Sequence, residues 1–228
     1  MSRAVNPPFA SARTLRTPQD LIQAGLAPPE QATSLAEVAR LYATAIPPAF
    51  AALIERPDDA IGVQVIPTAQ ELDVTPEERS DPIGDDALSP VPGIVHRYAD
   101  RALLKPLLVC PLYCRFCFRR EHVGPDGGLL DDAALERALD WLRTHEQIRE
   151  VIITGGDPLM LSPRRLRAIM AALGAMDHVT TIRLHTRVPV AAPERITAGL
   201  PDALEMDKAG GLAVPANHPR EFSAPARQ

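Results

Sequence analysis

The spacing of apolar and polar positions divides the chain in two. Up to about residue 89, apolar residues recur at helical intervals in short segments broken by prolines; Leu35, Val38, Ala39 and Tyr42 share one face of such a segment. Residues 81–93 (DPIGDDALSPVPG) are acidic and rich in proline and glycine, which resist continuing either helix or strand, so they read as a connection. Beyond it the period changes. Residues 102–109 form an apolar run of strand length interrupted by Lys105 and Pro106, and the proline predicts an edge or end position. Asp132 is a candidate N-cap for a helix whose Leu135, Ala138, Leu139 and Leu142 fall on one face. Residues 151–154 are mostly β-branched and suit a buried parallel strand. Ser162 and Pro163 open a second helix with Leu166, Ile169, Met170 and Leu173 on its face and Gly174 at its stop, and residues 179–184 make a third strand.

Strands alternating with helices predict βαβ units, an α/β class and a parallel sheet with functional groups gathered at the C-terminal strand ends. Residues 1–89 are expected to form a helical subdomain with its linker, and residues 90–228 an incomplete parallel (β/α) core. The room left after the third strand suits one more, far short of the eight of a closed barrel, so the sheet is expected to be open.

Composition narrows the function classes. The net charge of −5 gives no basic excess for a phosphate backbone, which argues against nucleic acid as a partner. No apolar run approaches the roughly 20 residues that span a bilayer, and the best, residues 42–54, is interrupted by Pro47 and Pro48. Arg3 and Arg13 have no apolar stretch behind them, so the start of the chain does not read as a secretory signal and a cytoplasmic location is expected.

The three cysteines, Cys110, Cys114 and Cys117, are crowded into one loop after the first predicted strand, which suits ligands better than a disulfide frame. Three thiolates can hold three irons of an iron–sulfur cube and leave the fourth open. A zinc site would want a fourth protein ligand, and only His122 is near; a thioredoxin-like CxxC needs no third cysteine; three ordinary core cysteines fit poorly beside Arg115, Arg119 and Arg120.

The spacing Cys110-Pro-Leu-Tyr-Cys114-Arg-Phe-Cys117 resembles the CxxxCxxC loop of the radical S-adenosylmethionine (SAM) superfamily. Around it, Ser89-Pro-Val-Pro-Gly93 running into His96-Arg97-Tyr98 and Asp100-Arg101, then Cys117-Phe-Arg119-Arg120, Thr154-Gly155-Gly156-Asp157-Pro158-Leu159 and Thr186-Arg187-Val188-Pro189-Val190 are similar to the lysine 2,3-aminomutase family. The resemblance covers about residues 81–197. It implies a radical SAM type of partial (β/α) barrel holding a [4Fe–4S] cluster on Cys110, Cys114 and Cys117, and a 5′-deoxyadenosyl radical generated from SAM. It further implies pyridoxal phosphate as carrier of an amino group migrating from Cα to Cβ of an amino acid. Gly155, Gly156 and Asp157 match the loop that receives the methionine end of SAM, where missing Cβ atoms would let backbone amides approach the ligand. Arg97, Tyr98 and Arg101 match positions that hold the pyridoxal phosphate group, and Arg119 matches the residue that pairs with the substrate α-carboxylate. An electron donor such as flavodoxin or ferredoxin and homo-oligomers would follow.

The chain departs from the family in its last part. The family anchors pyridoxal phosphate on a lysine near its C-terminal end, and neither Lys105 nor Lys208 has that context. Pro215 stands where the family places a cofactor-contacting histidine, the match fades over residues 198–214, and it returns at Asn217-His218-Pro219-Arg220-Glu221. These features lead to the expectation of a C-terminally truncated member, with a catalytically incomplete remnant that binds a cluster or zinc without turnover as the rival reading.

Overall fold

The structure is a computed structural model and describes residues 11–205 and 207–227; the reading of Arg3 falls outside them. The first part carries three short helices, α1 (Pro18–Gln23), α2 (Ala32–Leu41) and α3 (Pro48–Ala51). Proline at the first turn of α1 and α3 explains why they start where they do, because its missing N–H is one that a helix leaves unpaired anyway. Thr17 caps α1 in a capping box with Asp20, whose N–H it accepts at 3.1 Å. Leu35, Val38 and Tyr42 are buried as the helical spacing predicts. Leu21, Leu26, Phe50, Ile54, Ile61 and Val65 complete this core, each such side chain contributing roughly 1.5–3 kcal/mol by leaving water. Leu112 and Ala191, from the second part, lie in the same cluster, so the helical part is packed directly onto the cysteine loop.

Among the described residues one sheet of five strands forms in the order β1-β2-β3-β4-β5: β1 (Ile94–Tyr98), β2 (Arg101–Leu107), β3 (Glu150–Gly155), β4 (Thr181–His185) and β5 (Ala209–Ala213). The pairs from β2 to β5 are parallel, with α4 (Asp132–Thr144) between β2 and β3 and α5 (Pro163–Gly174) between β3 and β4. Between β4 and β5 come α6 (Val188–Ala191) and α7 (Gly199–Leu204). This is the expected open, mostly parallel α/β sheet with one strand beyond the third predicted. Among the described residues no helix is long and apolar enough to cross a membrane.

Two details correct the expectations, and a third resolves the edge-or-end position of Pro106 to the end. The sheet begins with β1, which pairs antiparallel with β2 through Ile94–Leu104 and Val95–Leu103, turning at Ala99 and Asp100. Consequently β2 is internal and Pro106 is not on an edge strand; it sits near the strand's end, where the register against β3 slips between Leu104 and Leu107 because proline has no N–H to give the ladder. The N-cap of α4 is Asp131, not Asp132: its carboxylate accepts the Ala134 N–H at 2.7 Å, a reach open to the residue three before.

The pleat sends Ala102, Leu104, Val151, Ile153, Ile182 and Leu184 into the cluster under the helices. Alternate residues, Arg101, Lys105, Glu150, Arg183 and His185 among them, take the opposite face. The core is therefore one-sided, and the face away from the helices is charged.

Candidate functional site

The cysteine loop leaves the C-terminal end of β2 and is stapled at both flanks. Gly124 N–H donates to Leu108 O at 3.0 Å and Leu108 N–H to Gly128 O at 3.0 Å, closing the loop on itself. Tyr113 N–H reaches Ala45 O at 3.2 Å and Arg115 N–H reaches Gln64 O at 2.7 Å, tying it to the helical part. Arg115 pairs with Glu71 and donates to Ala43 O at 2.9 Å, while Arg120 pairs with Glu71 at 3.4 Å and lies 4.1 Å over the Tyr42 ring. The arginines among the cysteines thus act as fasteners.

Cys110, Cys114 and Cys117 are all free thiols and half-buried, lining a small cavity of about 40 Å³ with Tyr113, Val123 and Ala43. Burial pushes the Cys110 and Cys114 thiols up, and for Cys114 the Arg187 guanidinium opposes the rise. Arg187 Nη1 donates to Cys114 Sγ at 2.9 Å. Among the described residues no three His, Cys, Asp or Glu side chains gather around one point that could hold a metal ion. The donor set fits an iron–sulfur cube in kind: three thiols on one loop, in a site walled by apolar and aromatic groups and carrying a guanidinium hydrogen bond to one sulfur. His122 is exposed and does not line that cavity.

Behind the loop stands a buried polar network centred on Glu221, which is fully buried. Its Oε2 accepts Arg187 Nη2 at 2.6 Å, and its Oε1 accepts Gln64 Nε2 at 3.1 Å, Asn217 N–H at 3.0 Å and His218 N–H at 3.1 Å. Gln64 Oε1 in turn accepts Arg187 Nη2 at 3.1 Å and Asn217 Nδ2 at 3.0 Å. The segment around Asn217-His218-Pro219, the part before it and the cysteine loop are thereby joined through one arginine. Neither Arg187 nor Glu221 was singled out from the sequence as a site residue; the adjacency of Asn217-His218-Pro219 to Glu221 was the available signal.

Gly155 ends β3, Gly156 and Asp157 come directly after it, and the three lie against the loop's entry, where the backbone itself gives a reason for glycine. Gly155 has φ +112°, and a Cβ there would stand 2.4 Å from Leu107 O; at Gly156 it would stand 2.3 Å from Val109 O. Two backbones pass too closely for any side chain. The amides of Gly156 and Asp157 are spent on Leu107 O (2.8 Å) and Val109 O (2.9 Å). The Asp157 carboxylate, also buried, accepts Leu159 N–H at 3.0 Å, Thr186 Oγ1 at 2.6 Å, Arg187 N–H at 2.7 Å and Val188 N–H at 3.2 Å. Burial pushes its pKa up, with the Thr186 hydroxyl and the backbone donors pulling against it. Asp157 therefore fixes the turn that aims Arg187 at Cys114.

The second group of predicted residues divides. Arg101 pairs with Glu150, which Arg183 also approaches at 3.0 Å, and its guanidinium lies 5.6 Å from the ring of exposed Tyr98. Arg97 turns to Ile83 O and, at 3.4 Å, to Asp85. Arg119 donates to the same Asp85 carboxylate at 2.8 Å, and Lys105 Nζ stands 3.7 Å from it. Asp85, within the connection that the sequence predicts, is a buried carboxylate ringed by three cations. Such a ring fits an anionic group in kind.

A family profile described as the Radical SAM superfamily matches residues 104–207, the span from β2 through the start of the segment before β5. The chain belongs to the radical SAM superfamily. Within it, the chain is 36% identical over 196 residues to the L-lysine 2,3-aminomutase of Clostridium subterminale, covering 85% of this chain and 47% of that protein. It is 34% identical over 194 residues to the glutamate 2,3-aminomutase of Clostridioides difficile, 84% and 46%, and 33% identical over 192 residues to the L-lysine 2,3-aminomutase of Escherichia coli, 83% and 56%. The radical SAM chain thus spans about half the length of the curated relatives it matches.

Proposed function

We propose that this chain carries the SAM-cleaving part of a 2,3-aminomutase that moves an amino group from Cα to Cβ of an amino acid. The observation that carries the reading is the loop of three free thiols at the C-terminal end of β2, held against the Gly155–Asp157 turn and the Arg187 hydrogen bond, within a chain aligned to aminomutases over most of its length. When bound, the cluster and SAM supply a 5′-deoxyadenosyl radical, and pyridoxal phosphate supplies the carrier for the nitrogen.

The chain's own residues do the holding. Cys110, Cys114 and Cys117 take the roles of cluster ligands, with Arg187 donating to the Cys114 sulfur and thereby stabilising its anionic form. Asp157 and Gly156 lock the β3 turn against β2 so that loop and turn move as one. Arg119 serves the α-carboxylate of the substrate, which takes over the guanidinium now engaged by Asp85, and Arg97, Tyr98 and Arg101 serve a phosphate. The relatives are named for lysine and glutamate, which supports an amino acid as the substrate. A reducing, cytoplasmic setting suits three unpaired cysteines, and a flavodoxin or ferredoxin supplies the electron.

The test is anaerobic reduction of the reconstituted chain with SAM and either lysine or glutamate carrying deuterium at Cβ. Formation of 5′-deoxyadenosine with deuterium gained from one of the two amino acids supports the proposal. Methionine and 5′-deoxyadenosine absent under reduction, with the cluster present, would support the catalytically incomplete remnant instead.

A further inference from the structure

The chain has two lysines, and the structure gives them opposite surroundings. Lys208 Nζ donates to Val179 O at 2.7 Å and to Met176 O. Lys105 lies near the C-terminal end of β2, on the face turned away from the helices, with its side chain 16% exposed. It donates to no backbone carbonyl among the described residues. Among the described residues its ion-pair partner is Asp85, 3.7 Å away, and that carboxylate is shared with Arg97 at 3.4 Å and Arg119 at 2.8 Å. Burial lowers the Lys105 pKa, with Arg119 pulling the same way against Asp85, Asp86 and Asp81.

Three cations share the Asp85 carboxylate, with Asp86 and Asp81 also acting on Lys105. Desolvated amines beside a second cation are the ones that react as nucleophiles with carbonyls, and guanidinium pairs suit carboxylate and phosphate oxygens. Asp85 comes from the loop between the helical part and β1, outside the sheet, so a ligand anion can exchange with it without disturbing a strand.

We propose that Lys105 is the carbonyl-binding amine of this chain, and that its ligand is an aldehyde carrying a phosphate or carboxylate that Arg97 and Arg119 hold in the place of Asp85. The neutral amine adds to the aldehyde carbon, the carbonyl oxygen leaves as water with the two amine hydrogens, and a C=N bond remains; no electrons are exchanged and no further reactant is needed. The inference rests on the pyridoxal phosphate part of the proposed function and deepens it; the metal-free chain suffices for its test, so its failure would leave the cluster and SAM chemistry standing.

Pyridoxal phosphate is the probe, with pyridoxal as the same aldehyde lacking the anion. The chain is titrated with each, the imine is reduced with borohydride, and peptides bearing Lys105 and Lys208 are quantified by mass. The expected result is stoichiometric labelling of Lys105 at concentrations that leave Lys208 unmodified, at least tenfold weaker labelling by pyridoxal, and protection by inorganic phosphate. Arg119→Gln should weaken labelling by pyridoxal phosphate at least tenfold while leaving the pyridoxal reaction within twofold, and Lys105→Arg should remove the adduct with its melting temperature kept. Equal labelling of the two lysines, or pyridoxal reacting as tightly as its phosphate, overturns the proposal. The comparison of the two lysines needs no variant, so it stands even where a variant fails to fold.

Discussion

Glu221 offers the sharpest perturbation, because its two oxygens do different work. Replacing it with glutamine keeps the shape and leaves a carbonyl where Oε1 accepts from Gln64, Asn217 and His218. The amide nitrogen then replaces Oε2 and presents donors to the Arg187 guanidinium now held at 2.6 Å. One charge-assisted hydrogen bond is lost, worth about 1.5–3 kcal/mol. Arg187 is also left as a buried cation without its carboxylate, a situation that costs about 3–5 kcal/mol when complete. Gln64 Oε1 and Cys114 Sγ still accept from it, so about 2–4 kcal/mol is expected for Glu221→Gln. Arg187→Met removes the cation itself, after which the same glutamine should cost much less. In urea unfolding of the reduced, metal-free chain, the double-mutant cycle should therefore return a coupling of about 1.5 kcal/mol or more. Two changes that add to within about 0.5 kcal/mol would refute the idea that the C-terminal segment and the cysteine loop communicate through this pair.

Other expectations follow from particular contacts. Gly156→Ala puts a Cβ 2.3 Å from Val109 O, a backbone atom that cannot rotate away, so the variant should lose at least about 3 kcal/mol or fail to fold; a loss under about 1 kcal/mol by urea unfolding would contradict the close-approach reading. Asp59 is buried, which alone would raise its pKa, but N–H groups from Gly62, Glu55 and Ile61 and the Arg220 guanidinium outweigh burial and hold it well below the usual carboxylate range. A depressed folded value contributes stability that is present above about pH 3.9, the unfolded value, and lost as pH falls toward the folded one. Asp59→Asn should therefore flatten the acid limb of the stability profile below about pH 4, measured by urea unfolding at stepped pH; an unchanged slope contradicts it. Each of Cys110→Ala, Cys114→Ala and Cys117→Ala should abolish retention of iron with sulfide after desalting, whereas His122→Ala should not; loss on changing His122 would point to a fourth protein ligand.

Much of the fold was legible because helix and strand periods were clean. The βαβ core followed from the residues 151–154 run, the Ser162-Pro163 start and the face of Leu166, Ile169, Met170 and Leu173, all buried as expected. Strand β1 was missed because its turn is Ala99-Asp100, without the glycine that marks most tight hairpins, and because Arg97 and Tyr98 drew attention as ligands. The three thiols were legible from their spacing alone. The partners that shape them were not: Arg187 meets Glu221 across 34 positions and Gln64 across 123, and Arg119 meets Asp85 across 34, distances over which local patterns carry no information. Glycines 155 and 156 stood out in the sequence, but their close approach to the carbonyls of Leu107 and Val109 did not, because it joins segments far apart along the chain.

Every proposed step of the radical chemistry requires the thiol loop to bind a cube with one iron left open. Anaerobic reconstitution with iron and sulfide, followed by Mössbauer spectra with and without SAM, tests it directly. The account predicts about four irons and four sulfides per chain, with one iron site changing its signature when SAM is added. Spectra indifferent to SAM, or a purified chain holding zinc and no acid-labile sulfide, would contradict it.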